Sequence, residues 1–162
     1  MIDTSREAKV AQPRLEYALT VRLELGTGYT TPTMSSGVQY GQVEVVSGEF
    51  HGPRLKGHVL PSGGDAPTVR RDGIAALDAR YFLQVDDGTL IRIHNRGIFR
   101  MDQEVRERIG RGEDVDPDDY YIRTSPVFEV PEGPHDWLSR YTFVGIGRRH
   151  VSGNEIDYFR VL

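Results

Sequence analysis

Residues 72–100 of the chain have the sequence DGIAALDARYFLQVDDGTLIRIHNRGIFR, and this stretch decides the fold. Two largely apolar runs, 81–85 and 90–94, flank the turn sequence Asp86-Asp87-Gly88. Asp-Gly between two such runs is a strong hairpin signal, because glycine takes the positive φ that a tight turn needs. The stretch therefore predicts a central β-hairpin, and its many polar side chains make it the candidate site region.

The segments on either side of this hairpin are predicted mainly as further strands. Residues 14–25, RLEYALTVRLEL, alternate apolar and polar side chains, which predicts one long strand with a buried face. Further strands are predicted over 37–49, 50–60, 120–130 (broken near Pro126), 137–149 and 154–162. The one predicted helix covers 101–110, with Asp102 as its N-cap.

About eight strands and one short helix predict an all-β fold. An antiparallel closed barrel explains the even spacing of the turn signals, and a β-sandwich is the alternative. An eight-stranded barrel has an interior that is either filled by side chains or holds one small ligand. Which of the two applies decides between a structural and a functional interpretation.

Length and composition predict one ordinary globular domain. The chain has 162 residues, 38% of them hydrophobic and 27% charged, and we expect a disordered leader over 1–13 followed by a single barrel domain over 14–162. The net charge of −4 argues against a nucleic-acid partner. The absence of cysteine excludes disulfides and thiol nucleophiles. No stretch has the character of a membrane span or a signal peptide, so a cytoplasmic location is expected.

Four stretches carry a resemblance to a known family. They are LPSGGDA (60–66), RRDGIAALDARYFLQVDDGTLIRIHNRG (70–97), GEDVDPDDYYIRTSPVFE (112–129) and WLSRYTFVGIGRR (137–149). Together they resemble domain of unknown function family 3237, a family of small bacterial and fungal proteins, over nearly the whole chain. The chain departs from the family pattern at Ala66-Pro67, where an aromatic residue is common, and at Ser139, where asparagine is common.

The resemblance implies a barrel of the allene oxide cyclase or calycin-like type, related to dirigent proteins. Such barrels bind a small, mostly apolar substrate and direct its cyclisation, isomerisation or coupling. The family carries no general activity, so the resemblance implies a fold and a ligand class rather than a reaction.

The central hairpin supplies three candidate residues. Tyr81 and Asn95 are expected to line the cavity and bind substrate. His94 is the candidate general acid or base, because its unperturbed pKa lies near neutrality. Successive side chains of a strand alternate between its two faces. His94 and Asn95 therefore lie on opposite faces, and only one of them can point inward. A solvent-exposed face for His94 is the alternative.

Three further residues complete the predicted catalytic set. An inward Arg123 could hold a carboxylate or enolate, and a neighbouring Tyr121 hydroxyl could donate to a developing oxyanion. A structural pairing of Arg123 with a buried aspartate is the alternative. Asp65 follows Gly63-Gly64 in a loop that could cap the barrel, where an apolar environment would raise the pKa of a carboxyl group. A turn aspartate that bonds its own backbone is the alternative there.

Aromatic side chains could form the cavity walls. Tyr40 and Trp137 are predicted to bind substrate, and Tyr158 and Phe143 are further wall candidates, although core packing is the commoner use of such residues. The five histidines show no metal-ligand spacing, and no phosphate-binding or dinucleotide motif is present. We therefore expect neither a metal nor a cofactor.

Two functions remain open from the sequence. The first is a cofactor-independent enzyme that binds a small aromatic or polyketide-like carbonyl compound and catalyses isomerisation, cyclisation, hydration or a lyase step. The second is a barrel that binds such an apolar ligand without catalysis. A homo-oligomer is expected in either case, with no membrane or nucleic-acid partner.

Overall fold

The computed structural model describes residues 10–162, so the first nine residues of the predicted leader lie outside the described part of the chain. The described residues form ten strands, which are β1 (Leu15–Thr30), β2 (Gln39–His51), β3 (Lys56–Val59), β4 (Gly64–Asp65), β5 (Thr68–Val69), β6 (Ala75–Val85), β7 (Leu90–Met101), β8 (Tyr120–Glu129), β9 (Phe143–His150) and β10 (Gly153–Val161). One α-helix, α1 (Gln103–Gly110), follows β7 in this part of the chain.

The strands form one antiparallel sheet that closes on itself. The neighbours run β1-β10-β9-β8-β7-β6, and the three short strands β3, β4 and β5 then share one position between β6 and β2. The sheet closes where β2 pairs with β1, from Thr20 opposite His51 to Thr30 opposite Gly41. The predicted closed eight-stranded barrel is thus confirmed, with two extra strands because one position is built from three segments.

The central hairpin forms a long uninterrupted ladder, equal in length to the ladder between β7 and β8. β6 pairs with β7 from Ala75 opposite Phe99 to Gln84 opposite Leu90. Gly88 has φ +90°, as the tight turn requires. The pairing runs well beyond the two short strands that the apolar pattern indicates, because closure of the barrel turns one face of the hairpin inward along its whole length, buried at one end and lining the cavity at the other.

The short helix begins where the sequence predicts it. The Asp102 carboxylate accepts a hydrogen bond from the Val105 N–H at 2.9 Å, which caps the first turn. Val105 is the buried residue of the helix, and it packs with Tyr120 and Ile122 against one end of the barrel. No helix among the described residues is long and apolar enough to span a membrane.

Three predicted strands differ from the structure. The strand predicted over 50–60 is divided between the end of β2 at His51 and β3 (Lys56–Val59). Residues 136–139 form a 3₁₀ helix instead of the start of a strand, because Asp136 pairs with Arg140 at 2.6 Å and its carbonyl accepts from Ser139 Oγ at 2.8 Å. The strand predicted over 120–130 continues through Pro126. Beyond Thr124 it has no ladder to β9, so no N–H donor is needed at Pro126 on that side.

Inward side chains fill one half of the barrel completely. The fully buried set comes from all sides of the barrel and includes Leu19, Val21, Phe50, Leu83, Ile91, Ile93, Leu138, Phe143 and Tyr158. Phe128 meets the Phe143 and Tyr158 rings edge to face, with centroids 5.1 and 5.9 Å away. This core lies at the end of the barrel where the Asp86–Gly88 turn and the 136–139 helix are found.

A charged hydrogen bond ties the hairpin turn to this closed end. His135 is buried, and its Nε2 lies 2.7 Å from Asp87 Oδ2. The Thr89 N–H also donates to Asp87, at 2.9 Å. These two contacts, the Thr89 contact first, lower the pKa of the Asp87 carboxyl to about 2.

Because the folded pKa of Asp87 is depressed, its contribution to stability is present above the unfolded value near 3.9 and is lost as the pH falls toward about 2. We expect the Tm of Asp87→Asn to lie below that of the wild type at pH 7, and the difference to shrink between pH 4 and pH 2. Thermal unfolding followed by circular dichroism measures this. Asp86→Asn is the matched control, because Asp86 lies in the same turn and its side chain pairs, among residues 10–162, only with Lys56, at 3.8 Å. An equal pH response in the two variants would contradict the assignment.

Candidate functional site

A cavity of about 520 Å³ occupies the other half of the barrel. It lies at the end where β1 and β7 finish and where β2, β6 and β8 begin, close to α1 and the turn that joins β9 to β10. A volume of this size is in the range of small-molecule sites. The interior is therefore both packed and open, with the packed half forming the floor of the cavity.

Small inward residues account for the open space. Ala75 and Ala79 line the cavity on β6, and Gly147 lines it on β9. One row across the sheet runs Tyr158, Gly145, Thr124 and Gly97 on four successive strands. A Cβ on Gly145 would lie 2.3 Å from Thr124 Oγ1, and one on Gly97 would lie 2.6 Å from Thr124 Cγ2. The two glycines thus make room for the Thr124 side chain.

Asp65 supplies a carboxyl group at the side of this cavity. It lies on β4 directly opposite Ala79 of β6, which is itself opposite Asn95 of β7. Because Ala79 has only a methyl group, Asp65 and Asn95 flank an open space two strands wide, roughly 10 Å between their backbones. Asp65 Oδ1 accepts a hydrogen bond from the Asp78 N–H at 2.8 Å. Burial raises the pKa of Asp65, the Asp78 N–H opposes this, and the charge of Asp78 adds to it.

Buried polar groups without partners line the same cavity as Asp65. Tyr81, Asn95 and Thr124 line the cavity and are 1%, 4% and 5% exposed. The Tyr81 and Thr124 hydroxyls and the Asn95 Oδ1 make no hydrogen bond of normal geometry with the described residues. The Tyr158 hydroxyl, behind them in the core, lies close enough to the Tyr81 and Thr124 hydroxyls to affect the pKa of Tyr81, but it makes no normal hydrogen bond with either. Burial raises the pKa of Tyr81 far above its usual range, so the phenol stays protonated and can donate a hydrogen bond. Unpaired buried groups of this kind are rare and mark a site that a ligand could complete.

The structure brings three of the predicted residues together and places three others outside. Asp65, Tyr81 and Asn95 line the cavity. His94 points outward from β7, and its Nε2 lies 2.8 Å from Asp78 Oδ1. Tyr121 and Arg123 point outward from β8, where the Arg123 guanidinium stacks on the Tyr121 ring at 4.9 Å. Alternation is the physical reason, since Asn95 and Thr124 take the inward positions beside them.

Two predicted substrate-binding residues also lie away from the cavity. Tyr40 is 49% exposed on β2, and its N–H donates to Thr31 Oγ1 at 3.0 Å. Trp137 is buried at the closed end of the barrel, 6.1 Å from Phe143 and beneath the Arg54 guanidinium at 4.5 Å. It therefore packs in the core opposite the cavity mouth.

A family model described as "Protein of unknown function (DUF3237)" matches residues 13–161. The chain belongs to this family. The predicted membership is thereby confirmed. UPF0311 protein RPA1785 of Rhodopseudomonas palustris is 34% identical over 152 residues, which cover 93% of this chain and 99% of that protein.

Solved structures of DUF3237 relatives and other proteins have the same barrel. The crystal structure of RPA1785 superposes with a TM-score of 0.89 at 31% identity and covers 94% of this chain and all of that one. A beta-barrel like protein from Acinetobacter baumannii gives 0.81 at 27% identity, over 96% of this chain and all of that one. A protein from Penicillium herquei that is described as an enzyme gives 0.73 at 20% identity, over 97% and 100%, and shows the fold alone.

Sequence reasoning on this DUF3237 chain missed Thr124 and two mouth arginines, Arg106 and Arg149. Thr124 lies on the same strand as Tyr121 and Arg123. Alternation along β8 turns Thr124 inward and the other two outward. The glycines Gly145 and Gly147, two residues apart on one face, were the available signal. Inward glycines at both positions indicate a face that leaves space beside it.

Gly145→Ala should destabilise the protein, because its Cβ would meet Thr124 Oγ1 at 2.3 Å and Tyr158 Cε1 at 2.8 Å. Overpacking of this kind costs ~1–3 kcal/mol in the free energy of unfolding. Urea denaturation measures the change. Gly110→Ala is the control, because nothing lies within 4 Å of a Cβ at that position in α1. If Gly145→Ala is as stable as the control, the side chains around Gly145 are not packed as tightly as the structure indicates.

Asp65→Asn should stabilise the protein at pH 7. The amide oxygen can still accept from the Asp78 N–H, while the buried charge is removed. Because the folded pKa of Asp65 is raised, the wild type loses stability as the pH climbs from the unfolded value near 3.9 through the folded one. The gain in Tm should therefore vanish at pH 4 and below. Asp114→Asn, at an exposed loop carboxylate with no side-chain bond among the described residues, should show no such pH dependence.

Proposed function

We propose that the protein is a cofactor-independent enzyme that binds a small aromatic or polyketide-like carbonyl compound in the barrel and moves a proton on it. Asp65 would be the general base or acid. The reaction classes that this proton transfer serves are isomerisation, cyclisation, hydration and elimination by a lyase. The single observation behind the proposal is a carboxyl group of raised pKa beside three buried, unpartnered polar side chains in one cavity.

The arrangement supports enolisation chemistry in particular. A carbonyl oxygen bound at the Tyr81 hydroxyl would receive a hydrogen bond from a phenol that burial keeps protonated. The Asp65 carboxylate, opposite Ala79, would then take a proton from the adjacent carbon, and the negative charge would develop on the oxygen. Asn95 Oδ1 can accept from a hydroxyl group on the same ligand.

A carboxyl group near an apolar wall has the properties that such a step needs. When the pKa of a carboxyl group is raised, it lies closer to neutral pH, and the group then both accepts and returns protons efficiently. The apolar lining of Leu23, Val45 and Ile122 would exclude water from the ligand's reactive carbon. The Penicillium herquei protein of the same fold is described as an enzyme, so a barrel of this shape is compatible with catalysis.

Binding without catalysis is the second candidate, and one observation favours it. Asp65 Oδ1 is already held by the Asp78 N–H, which is also what a structural aspartate between two strands would do. In that case the cavity would hold its ligand through Tyr81, Asn95 and Thr124 alone.

Hydrogen–deuterium exchange separates the two functions. 2-Tetralone, a two-ring ketone with acidic α-hydrogens, is incubated with the protein in D₂O, and deuterium at the α-carbons is followed by NMR. We expect exchange above the buffer rate, a fall of ~100-fold in Asp65→Asn, and a smaller fall in Tyr81→Phe. The exchange rate of the wild type should rise with pH as Asp65 ionises. Because the pKa of Asp65 is raised, this rise should occur at a higher pH than for an ordinary carboxyl group.

Asp114→Asn serves as the control for Asp65→Asn, because it removes an exposed carboxylate from a loop. Full exchange in Asp65→Asn would remove Asp65 from the mechanism. Saturable binding of 2-tetralone with exchange at the buffer rate would favour the non-catalytic barrel instead.

A further inference from the structure

The mouth of the cavity carries positive charge that the proposed proton transfer does not use. Arg106 of α1 and Arg149 of β9 both line the cavity, and both side chains are exposed at its opening. Asp65 is the one acidic residue among the described lining residues, and it lies inside. A chain of net charge −4 thus presents two cations at the entrance to its cavity.

Neither arginine is neutralised by a carboxylate of the described residues. Arg106 donates to the Gly73 carbonyl at 3.0 Å, and the Arg149 guanidinium lies 6.0 Å from the centre of the Phe99 ring. Many other surface arginines do have such partners, as in the pairs of Arg148 with Asp157 at 2.5 Å and with Glu155 at 2.7 Å. The mouth is therefore a place where arginine is left available to an incoming anion.

The two ends of the cavity are far enough apart for one ligand to span them. The register of β8 and β9, with Arg123 opposite Ile146, extends to place Arg149 at the level of Tyr120, whose hydroxyl accepts from the Arg149 backbone N–H at 2.9 Å. Thr124 lies four residues further along β8, so the distance from mouth to floor is roughly 13 Å. Two or three fused rings with a polar substituent at each end have this length.

We propose that the natural ligand of this cavity carries a carboxylate, which Arg106 and Arg149 bind at the mouth while a hydroxyl or carbonyl oxygen at its other end meets Tyr81, Asn95 and Thr124. A guanidinium matches the two oxygens of a carboxylate, and mouth cations also raise the rate at which anions arrive. This inference rests on the proposed function, because it names the ligand class of the same cavity. It assigns to Arg106 and Arg149 the anion-binding role that the sequence predicted for Arg123.

Three related probes test the two ends separately by titration calorimetry at pH 7. 6-Hydroxy-2-naphthoate has both groups, 6-hydroxy-2-naphthamide lacks the charge, and 2-naphthoate lacks the hydroxyl. We expect the wild type to bind the hydroxynaphthoate at least ~10-fold more tightly than the amide. Arg106→Gln and Arg149→Gln should each weaken the acid by ~5-fold and leave the amide unchanged, as expected for exposed charge contacts.

Arg96→Gln is the matched control, because Arg96 is an exposed arginine on the outer face of β7 and should affect neither probe. Equal affinity of the wild type for acid and amide, no binding of either, or an equal loss in Arg96→Gln would overturn the inference. The comparison of 2-naphthoate with 6-hydroxy-2-naphthoate tests the proposed function independently. If the two acids bind equally well while the amide binds weakly, the carboxylate contact at the mouth is supported. The proposed contact of the hydroxyl with Tyr81, Asn95 and Thr124 is then wrong.

Discussion

The pairing of β1 with β2 closes the sheet, and the rest of the structure depends on that closure. In an open sheet, inward side chains at the edges could turn to solvent. In a closed barrel they can contact only one another or an interior space. Each inward position therefore either fills that space or leaves it open. Leu83, Ile91 and Phe143 fill it at one end, whereas the small residues Ala75, Ala79 and Gly147 line the open space at the other.

The open half of the barrel lowers the stability of the folded state in a way that a purely structural barrel could avoid. A buried polar group without a partner destabilises the folded state by ~1–3 kcal/mol, and Tyr81, Thr124 and Asn95 each have such an atom at the cavity. Phenylalanine at position 81 would preserve the shape without that cost. In the proposed function a bound molecule satisfies these groups, which connects the energetics of the fold to the proposal.

Local sequence signals predicted the parts of the fold that local forces determine. Gly88 with positive φ and the Asp102 cap follow from turn and helix-end chemistry, which needs no partner strand. The 3₁₀ helix at 136–139 was missed, because contacts of Asp136 with Ser139 and Arg140 prevail over the apolar pattern there. Closure as such was predicted from the number and even spacing of the strands, because a closed barrel has no edge strands that could aggregate.

The site was harder to predict, because strand parity decides which residues face inward. His94 and Asn95 are adjacent, as are Arg123 and Thr124, and a shift of one residue exchanges the two faces. Once Asn95 is placed inward, the register of β7 and β8 places Pro126 and Thr124 inward as well, and Arg123 outward. That register comes from the whole ladder and cannot be obtained from either strand alone. Arg106 was invisible for a different reason, since a helix outside the barrel brings it to the mouth.

The outer face nevertheless contributes to the inner one through Asp78. Its backbone N–H donates to Asp65 Oδ1, while its side chain, on the other side of the sheet, is held by His94 at 2.8 Å and by Arg80 at 3.3 Å. The N–H fixes where the Asp65 carboxylate lies, and the negative charge of Asp78 helps to raise its pKa. His94 is thus two contacts removed from the cavity instead of inside it. A hairpin strand that carries polar residues on both faces can therefore position a carboxylate on the inner face of the barrel through its backbone, and its outer side chain can influence the pKa of that carboxylate.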